Sequence, residues 1–154
     1  MRVVMQRVKQ AAVHVDGNCV GRIDQGWLIL FAVHRDDTIE DLRWLADKCV
    51  DLRAFSDEQG KMNRSVIDIG GEMLIVSQFT LAGDCRKGRR PSFDNAAEPS
   101  IAKQYYEMFC QHVAQRGVPV QKGIFQADMQ VSLVNDGPVT FVIDPPTTST
   151  KGNK

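Results

Sequence analysis

Three short segments hold the residues best suited to chemistry. Ser77-Gln78-Phe79-Thr80-Leu81 sets two hydroxyls and an amide at the end of an apolar run. Such hydroxyls act as acyl-transfer nucleophiles when a base stands beside them; otherwise they are satisfied polar groups at a strand end. No G-x-S-x-G elbow surrounds Ser77, and His14, His34 and His112 could join it only through the fold. Asn135-Asp136-Gly137-Pro138-Val139-Thr140 lies between the apolar runs ending at Val134 and beginning at Val139. Glycine removes the Cβ and proline removes a donor, so this segment is either a plain strand-to-strand turn or a turn presenting bare carbonyls to a ligand. Arg86-Lys87-Gly88-Arg89-Arg90 places four cations in five positions. Charge runs are usually solvated loops; beside a site, this one would hold phosphates.

The elements positioning these segments follow from hydrophobic periodicity. Residues 2–34 read as strands, with a hairpin turn at Asp16-Gly17-Asn18 and a second turn at Asp24-Gln25-Gly26. Trp27 to Val33 is apolar throughout, which predicts a central strand covered on both faces. Thr38 with Asp41 three residues on predicts a capped amphipathic helix over 38–53. Asp57 to Lys61 reads as a turn, Glu72 to Phe79 as a buried strand, and 82–98 as a long polar loop containing the cations. In that strand, alternation would set Ser77, Phe79 and Leu81 on one face and Gln78 and Thr80 on the other. Pro99 opens a second amphipathic helix that Gly117 and Pro119 stop. Strands are expected at about 119–125, 130–135 and 138–143. The fold class is therefore α/β: a single compact domain with a largely antiparallel or mixed β-sheet, barrel-like at its core, and two main helices.

Composition narrows the function. Lys+Arg and Asp+Glu are equal at 19 each, so any nucleic-acid contact must come from a local patch. Cys19, Cys49, Cys85 and Cys110 are widely spaced, which argues against zinc and for reduced thiols in a cytoplasmic protein. No signal peptide, membrane-spanning run, phosphate-binding loop or dinucleotide fingerprint is visible, and no cofactor or metal is expected.

Together, Ser77 to Leu81, the loop from Gly83 through Phe93, and Asn135 to Thr140 resemble the bacterial D-aminoacyl-tRNA deacylase family, as does the opening Met1 to Arg7. The similarity runs over residues 1–144, leaving 145–154 as a tail expected to be disordered. The resemblance implies a homodimer that hydrolyses the ester joining a D-amino acid to the 3′-terminal adenosine of tRNA. Catalysis would centre on Ser77, Gln78, Phe79 and Thr80. Backbone amides near Gln78 to Thr80 would hold the oxyanion and the ribose 2′-hydroxyl would assist. It further implies that Gly137 and Pro138, joined by a cis bond, enter the partner's site and, with Asn135, bind the substrate and exclude L-residues while letting glycine through. Arg7 would support that loop. Adenosine would lie near Ser77, Gln78, Phe79 and Leu81, with Met129 a further candidate, and Arg86, Lys87, Arg89 and Arg90 would contact tRNA. Two rivals are a non-catalytic RNA-binding or protein-interaction module, and a small-molecule ester or amide hydrolase using Ser77 or Thr80.

Overall fold

Fourteen residues of one strand organise the whole sheet. In the computed structural model, which describes residues 1–146, β1 (Arg2–Val15) has two partners in succession along one edge. Its first half pairs antiparallel with β3 (Gly26–Ala32), from Arg2↔Ala32 to Val8↔Gly26. Its second half pairs with β2 (Asn18–Ile23) through the expected hairpin turn. Along its other edge, β1 pairs antiparallel with β8 (Gln130–Ile143).

Beyond β3 the pairing becomes parallel, to β6 (Glu72–Ser77) and then to β7 (Val120–Lys122). Parallel neighbours need long crossovers, and the two helices supply them. Helix α1 (Ile39–Asp51) links β3 to β6, and α2 (Pro99–Gln115) links β6 to β7. The N-cap of α1 is the expected capping box: the Thr38 hydroxyl accepts from the Asp41 amide while the Asp41 carboxylate accepts from the Thr38 amide. A small hairpin, β4 (Phe55–Ser56) with β5 (Met62–Arg64), flanks the 57–61 turn; its strands are too short to leave a periodic signal.

The sheet is mixed and buries both faces. Trp27, Ile29, Phe31, Met73 and Ile75 pack under the helices, with Leu45, Phe109 and Val113. Their neighbours Leu28, Leu74 and Val76 turn the other way, onto Val8, Val13 and Ile23. Here the sheet curls on itself until β2 lies against β7. A Cβ on Gly21 would stand 2.6 Å from the Lys122 carbonyl oxygen, so near-closure of this barrel needs glycine there. Continuous apolar runs in β3 and β6 follow from having a core on each side.

Three expected strands in the C-terminal part differ. The strand at 119–125 shortens to β7, because Gly123 makes the last link to β6 (its amide to the Ile75 carbonyl, 3.4 Å) and Gln126 turns the chain at φ 63°. The segments at 130–135 and 138–143 are one strand, β8. Residues 147–154 of the expected tail lie outside the described residues. Among the described residues, no helix is long and apolar enough to cross a membrane.

Candidate active site

Strand β6 ends two residues earlier than its pattern suggests. Its neighbour β3 stops at Ala32, and the amide of Gln78 donates the last ladder bond, to the Phe31 carbonyl (2.8 Å). With no partner to continue along, the chain tightens into a 3₁₀ turn, Phe79–Ala82. Leu81 N–H donates to the Gln78 carbonyl (3.2 Å) and Gly83 N–H to that of Thr80 (3.0 Å). The expected alternation from Ser77 to Leu81 therefore does not exist. Phe79 is 56% exposed and packs on Phe93 with ring centroids 5.0 Å apart, so it is not a core residue.

The turn has a chemical consequence. Phe79 and Thr80 are its first residues, where N–H groups have no intrahelical acceptor. These two amides are available to a ligand, whereas that of Gln78 is committed to Phe31. The Thr80 hydroxyl accepts from the Gln78 side-chain amide. No histidine serves it: Nδ1 of His34 faces the Met1 amine (2.7 Å), Nε2 of His112 meets Asp47 (2.8 Å), and His14 stands opposite Gln130 between β1 and β8.

Ser77, Gln78 and Phe79 border a cleft of about 690 Å³, and Met129 lines it too. Ala32, Val33, Val76 and Phe125 supply apolar wall, and no residue lining the cleft is ionisable. Leu81 lies elsewhere, in a charged cleft of about 720 Å³ with His34, Arg2 and Asp144, so it does not share the apolar site. Phe125 and Pro99 escaped the sequence reading, the first because its segment reads as strand and the second because it reads only as a helix start. Burial holds the Tyr106 phenol in its protonated form, and its O–H donates to the Ile75 carbonyl (2.6 Å), tying α2 beneath β6.

The Gly-Pro segment is no strand-to-strand turn. Both flanks of β8 run along β1 in one direction: Gln6 faces Thr140 and Val8 faces Asn135. Arg7 alone therefore opposes Asp136 through Val139, and the surplus chain stands out as a large bulge. The Gly137–Pro138 bond is cis, and both residues are exposed. Gly137 has φ 150°, and a Cβ there would fall 2.7 Å from Cγ2 and 2.8 Å from the amide nitrogen of Val139.

Two side chains hold this bulge. Arg7 donates through Nε to the Asp136 carbonyl (2.8 Å) and through a terminal nitrogen to the Ala54 carbonyl (2.7 Å). Asn135 accepts from the Val139 amide (2.8 Å) and donates to the Val139 carbonyl and the Thr140 hydroxyl (3.2 Å each). Its amide thus closes the base of the bulge. Gly137 and Pro138 do not line the cleft of their own chain. Arg7 pairs with Trp27 and Ser77 with Phe31. Four residues of strand separate those levels, roughly 13 Å.

The cation-rich loop is closed at its neck. Asp84 and Ser92 exchange main-chain bonds of 2.7 and 2.9 Å. Arg86 is bound to the Asp84 carboxylate, whose pKa is held down at about 2 by that guanidinium and by the Arg86 amide.

The family described as D-Tyr-tRNA(Tyr) deacylase matches residues 4–144 of the chain. A D-aminoacyl-tRNA deacylase of Geotalea uraniireducens (strain Rf4) is 55% identical over 154 residues, covering 100% of this chain and 99% of that protein. One from Thermosipho africanus (strain TCF52B) is 57% identical over 144 residues, covering 94% and 97%. Among solved structures, the c-Myc DNA Unwinding Element Binding Protein superposes with a TM-score of 0.91 at 37% identity, covering 96% of this chain and 100% of that one. A probable eukaryotic D-amino acid tRNA deacylase shares the fold, with a TM-score of 0.78 at 21% identity over 93% of this chain and 98% of that one.

Proposed function

The chain belongs to the D-Tyr-tRNA(Tyr) deacylase family, and on that premise we propose that it hydrolyses the ester of D-aminoacyl-tRNA, releasing the D-amino acid and free tRNA. One observation carries the mechanism: apolar wall and no ionisable side chain line the cleft beside Ser77, and the amides of Phe79, on its border, and of the adjoining Thr80 have no intrahelical acceptor. A site without a base must draw its chemistry from the substrate, and an aminoacyl ester is already activated. Adenine and ribose of the terminal nucleotide lie against Phe79, Met129 and Phe125. Water attacks the ester carbonyl with the ribose 2′-hydroxyl relaying its proton. The amides of Phe79 and Thr80 receive the developing oxyanion, the acyl–oxygen bond breaks, and the 3′-oxygen leaves with the proton.

Chirality is read by the bulge. Gly137 and Pro138 are exposed on β8 and do not line their own chain's cleft, which supports their insertion into the cleft of a second subunit in a homodimer. Their carbonyls receive the α-amino group of the substrate. A backbone wall cannot adapt as a side-chain pocket can, so an L side chain collides while a D side chain points to solvent. Glycine, including glycine mischarged on tRNA-Ala, passes the same filter.

Matched D-Tyr-tRNA and L-Tyr-tRNA test the activity, with rapid loss of the D ester alone expected. Equal or absent cleavage sinks the deacylase reading. A 2′-deoxy terminal adenosine should abolish cleavage but not binding, and Thr80→Ala should keep most single-turnover activity. Near-complete loss in a folded, substrate-binding Thr80→Ala protein would make Thr80 the nucleophile instead.

A further inference from the structure

We propose that Tyr106 and Gly123, neither of which lines the apolar cleft, are positioning residues that hold its walls at the right spacing for the nucleoside. The proposal rests on the deacylase reading for its substrate and adds the joint on which that site is hung. The joint is the carbonyl of Ile75, two residues before Ser77 in β6 and so roughly 7 Å from it. Two elements meet there. The Tyr106 phenol of α2 donates to this oxygen (2.6 Å), and so does the Gly123 amide just beyond β7 (3.4 Å). A carbonyl has two lone pairs, so one atom can hold both. Each element then goes on to wall the cleft, α2 with Pro99 and Ala102, the loop after β7 with Phe125 and Met129.

Both walls depend on this joint. Pro99, Ala102 and Tyr106 fall at i, i+3 and i+7, one face of α2, so a bond at Tyr106 fixes how the other two stand over β6. Past Gly123 the loop turns on itself at Gln126 (φ 63°), with the Ala127 amide bonded to the Ile124 carbonyl (3.2 Å). That bond is internal to the loop and cannot set its distance from β6. The Tyr106 ring can, because it stands between Phe31 in the core (centroids 6.5 Å apart) and Phe125 in the wall (6.2 Å). Tyr106 is only 4% exposed, so its hydroxyl has no bulk water to turn to and the ring is pinned by its bond to Ile75. Gly123 acts by lacking a side chain. A Cβ there would stand 2.6 Å from Sδ of Met129 and 3.7 Å from Cγ1 of Val76. The thioether therefore lies over Gly123, in the space a side chain would take, and leaves the cleft open.

The experiment uses the D- and L-tyrosyl esters of adenosine as substrates and adenosine itself as a competitive inhibitor. Tyr106→Phe keeps the ring and removes only its bond to Ile75. KM for the D ester and the inhibition constant of adenosine should rise together by about fivefold, the effect of one net hydrogen bond. The kcat should hold, because lost ground-state binding raises KM alone. The preference for D over L should also hold, since the bulge is untouched. Gly123→Ala should give the same pattern. Its methyl displaces only the flexible end of Met129, and the cleft is the open space beside it, so this variant carries the test even if Tyr106→Phe fails to fold. A variant that is merely less stable has fewer active molecules, which lowers the apparent kcat and leaves KM in place. Either folded variant with KM and the inhibition constant unchanged overturns the joint, and so does a fall in kcat alone. A wild-type protein that cleaves neither ester yet binds adenosine, with weaker binding in both variants, would refute the deacylase reading and keep the joint.

Discussion

The cleft beside Ser77 and the bulge at Gly137–Pro138 both offer backbone rather than side chains, and they are held in opposite ways. The cleft prolongs the core. Its wall residues Ala32 and Val76 are buried members of adjacent strands, and the ladder between β3 and β6 runs to Phe31↔Ser77. The bulge projects from exposed β8, with Gly137 and Pro138 themselves exposed. Its shape depends on Arg7 and Asn135. A surface that receives can be built from core and backbone ladders, which lose little when one side chain is trimmed. A surface that must be presented stands away from the core and depends on a few tethers. Substitutions should therefore be far more damaging in the bulge than in the cleft.

The largest effect should come from Gly137→Ala. The new methyl would overlap Val139 at 2.7 Å, in a backbone conformation that L side chains rarely adopt. The bulge must move to relieve it, and displacement of a positioning group by about 1 Å costs on the order of 10²-fold in rate. We expect at least that loss in kcat/KM for D-Tyr-tRNA with the melting temperature nearly unchanged, since no core contact is lost. Ser77→Ala should cost less than about tenfold, because the backbone of β6 stays in its ladder. Equal losses in the two variants would erase the contrast.

Arg7→Ala should come next. It leaves the carbonyls of Ala54 and Asp136 without their donor, in a region where Arg7 is only 11% exposed. A partner left unsatisfied costs about 1–3 kcal/mol, so both stability and deacylation should fall, by chemical denaturation and by turnover. Arg7→Lys should not rescue either, because one ammonium cannot replace the planar fork that reaches two carbonyls in different directions. Full rescue by lysine would mean that charge, and not the fork, holds the bulge.

Much of this contrast was visible in the sequence, though unevenly. Local signals gave the β1–β2 hairpin, the capping box at Thr38 and the doubly covered β3, because turn chemistry, capping and periodicity each act within a few residues. The segments Ser77 to Leu81 and Asn135 to Thr140 stood out as candidate sites. Their shapes did not. That β6 stops at Ser77 depends on where its neighbour β3 stops, and that the Gly-Pro segment is a bulge depends on β1 running past both its flanks. Both are facts of long-range pairing, which a local pattern does not contain. Asn135 shows the same limit: the sequence suggested a place at the substrate, but not that its side chain closes the bulge through bonds to residues four and five positions along.

Asn135→Ala sharpens the comparison further. It removes three hydrogen bonds at the base of the bulge while leaving Arg7 in place. The loss should be about 1 kcal/mol in stability, with a several-fold fall in the preference for D over L substrate. Asn135→Asp keeps the acceptor for the Val139 amide and should recover part of that preference. A variant with full D-specificity and reduced ground-state binding would return Asn135 to the substrate-contacting role expected of it.

The smallest expected effect is on pH dependence, and it separates the two regions most cleanly. No ionisable side chain lines the cleft, so the enzyme should add no inflection of its own to the ratio of catalysed to uncatalysed hydrolysis. The substrate's α-amine will titrate near its ordinary value of about 7.7–8.0 and must be subtracted using the free ester. The nearest imidazole along the chain is His34, in the charged cleft on the far side of the 3₁₀ turn, where burial and then the neighbouring amine lower its pKa. Any contribution from it would fall below the usual histidine value of about 6.5. An inflection there, abolished by His34→Gln, would mean that the two clefts communicate through Leu81 and that the apolar site borrows a base after all. A flat ratio leaves catalysis with the amides of Phe79 and Thr80 and with the ribose, as a cleft without charge requires.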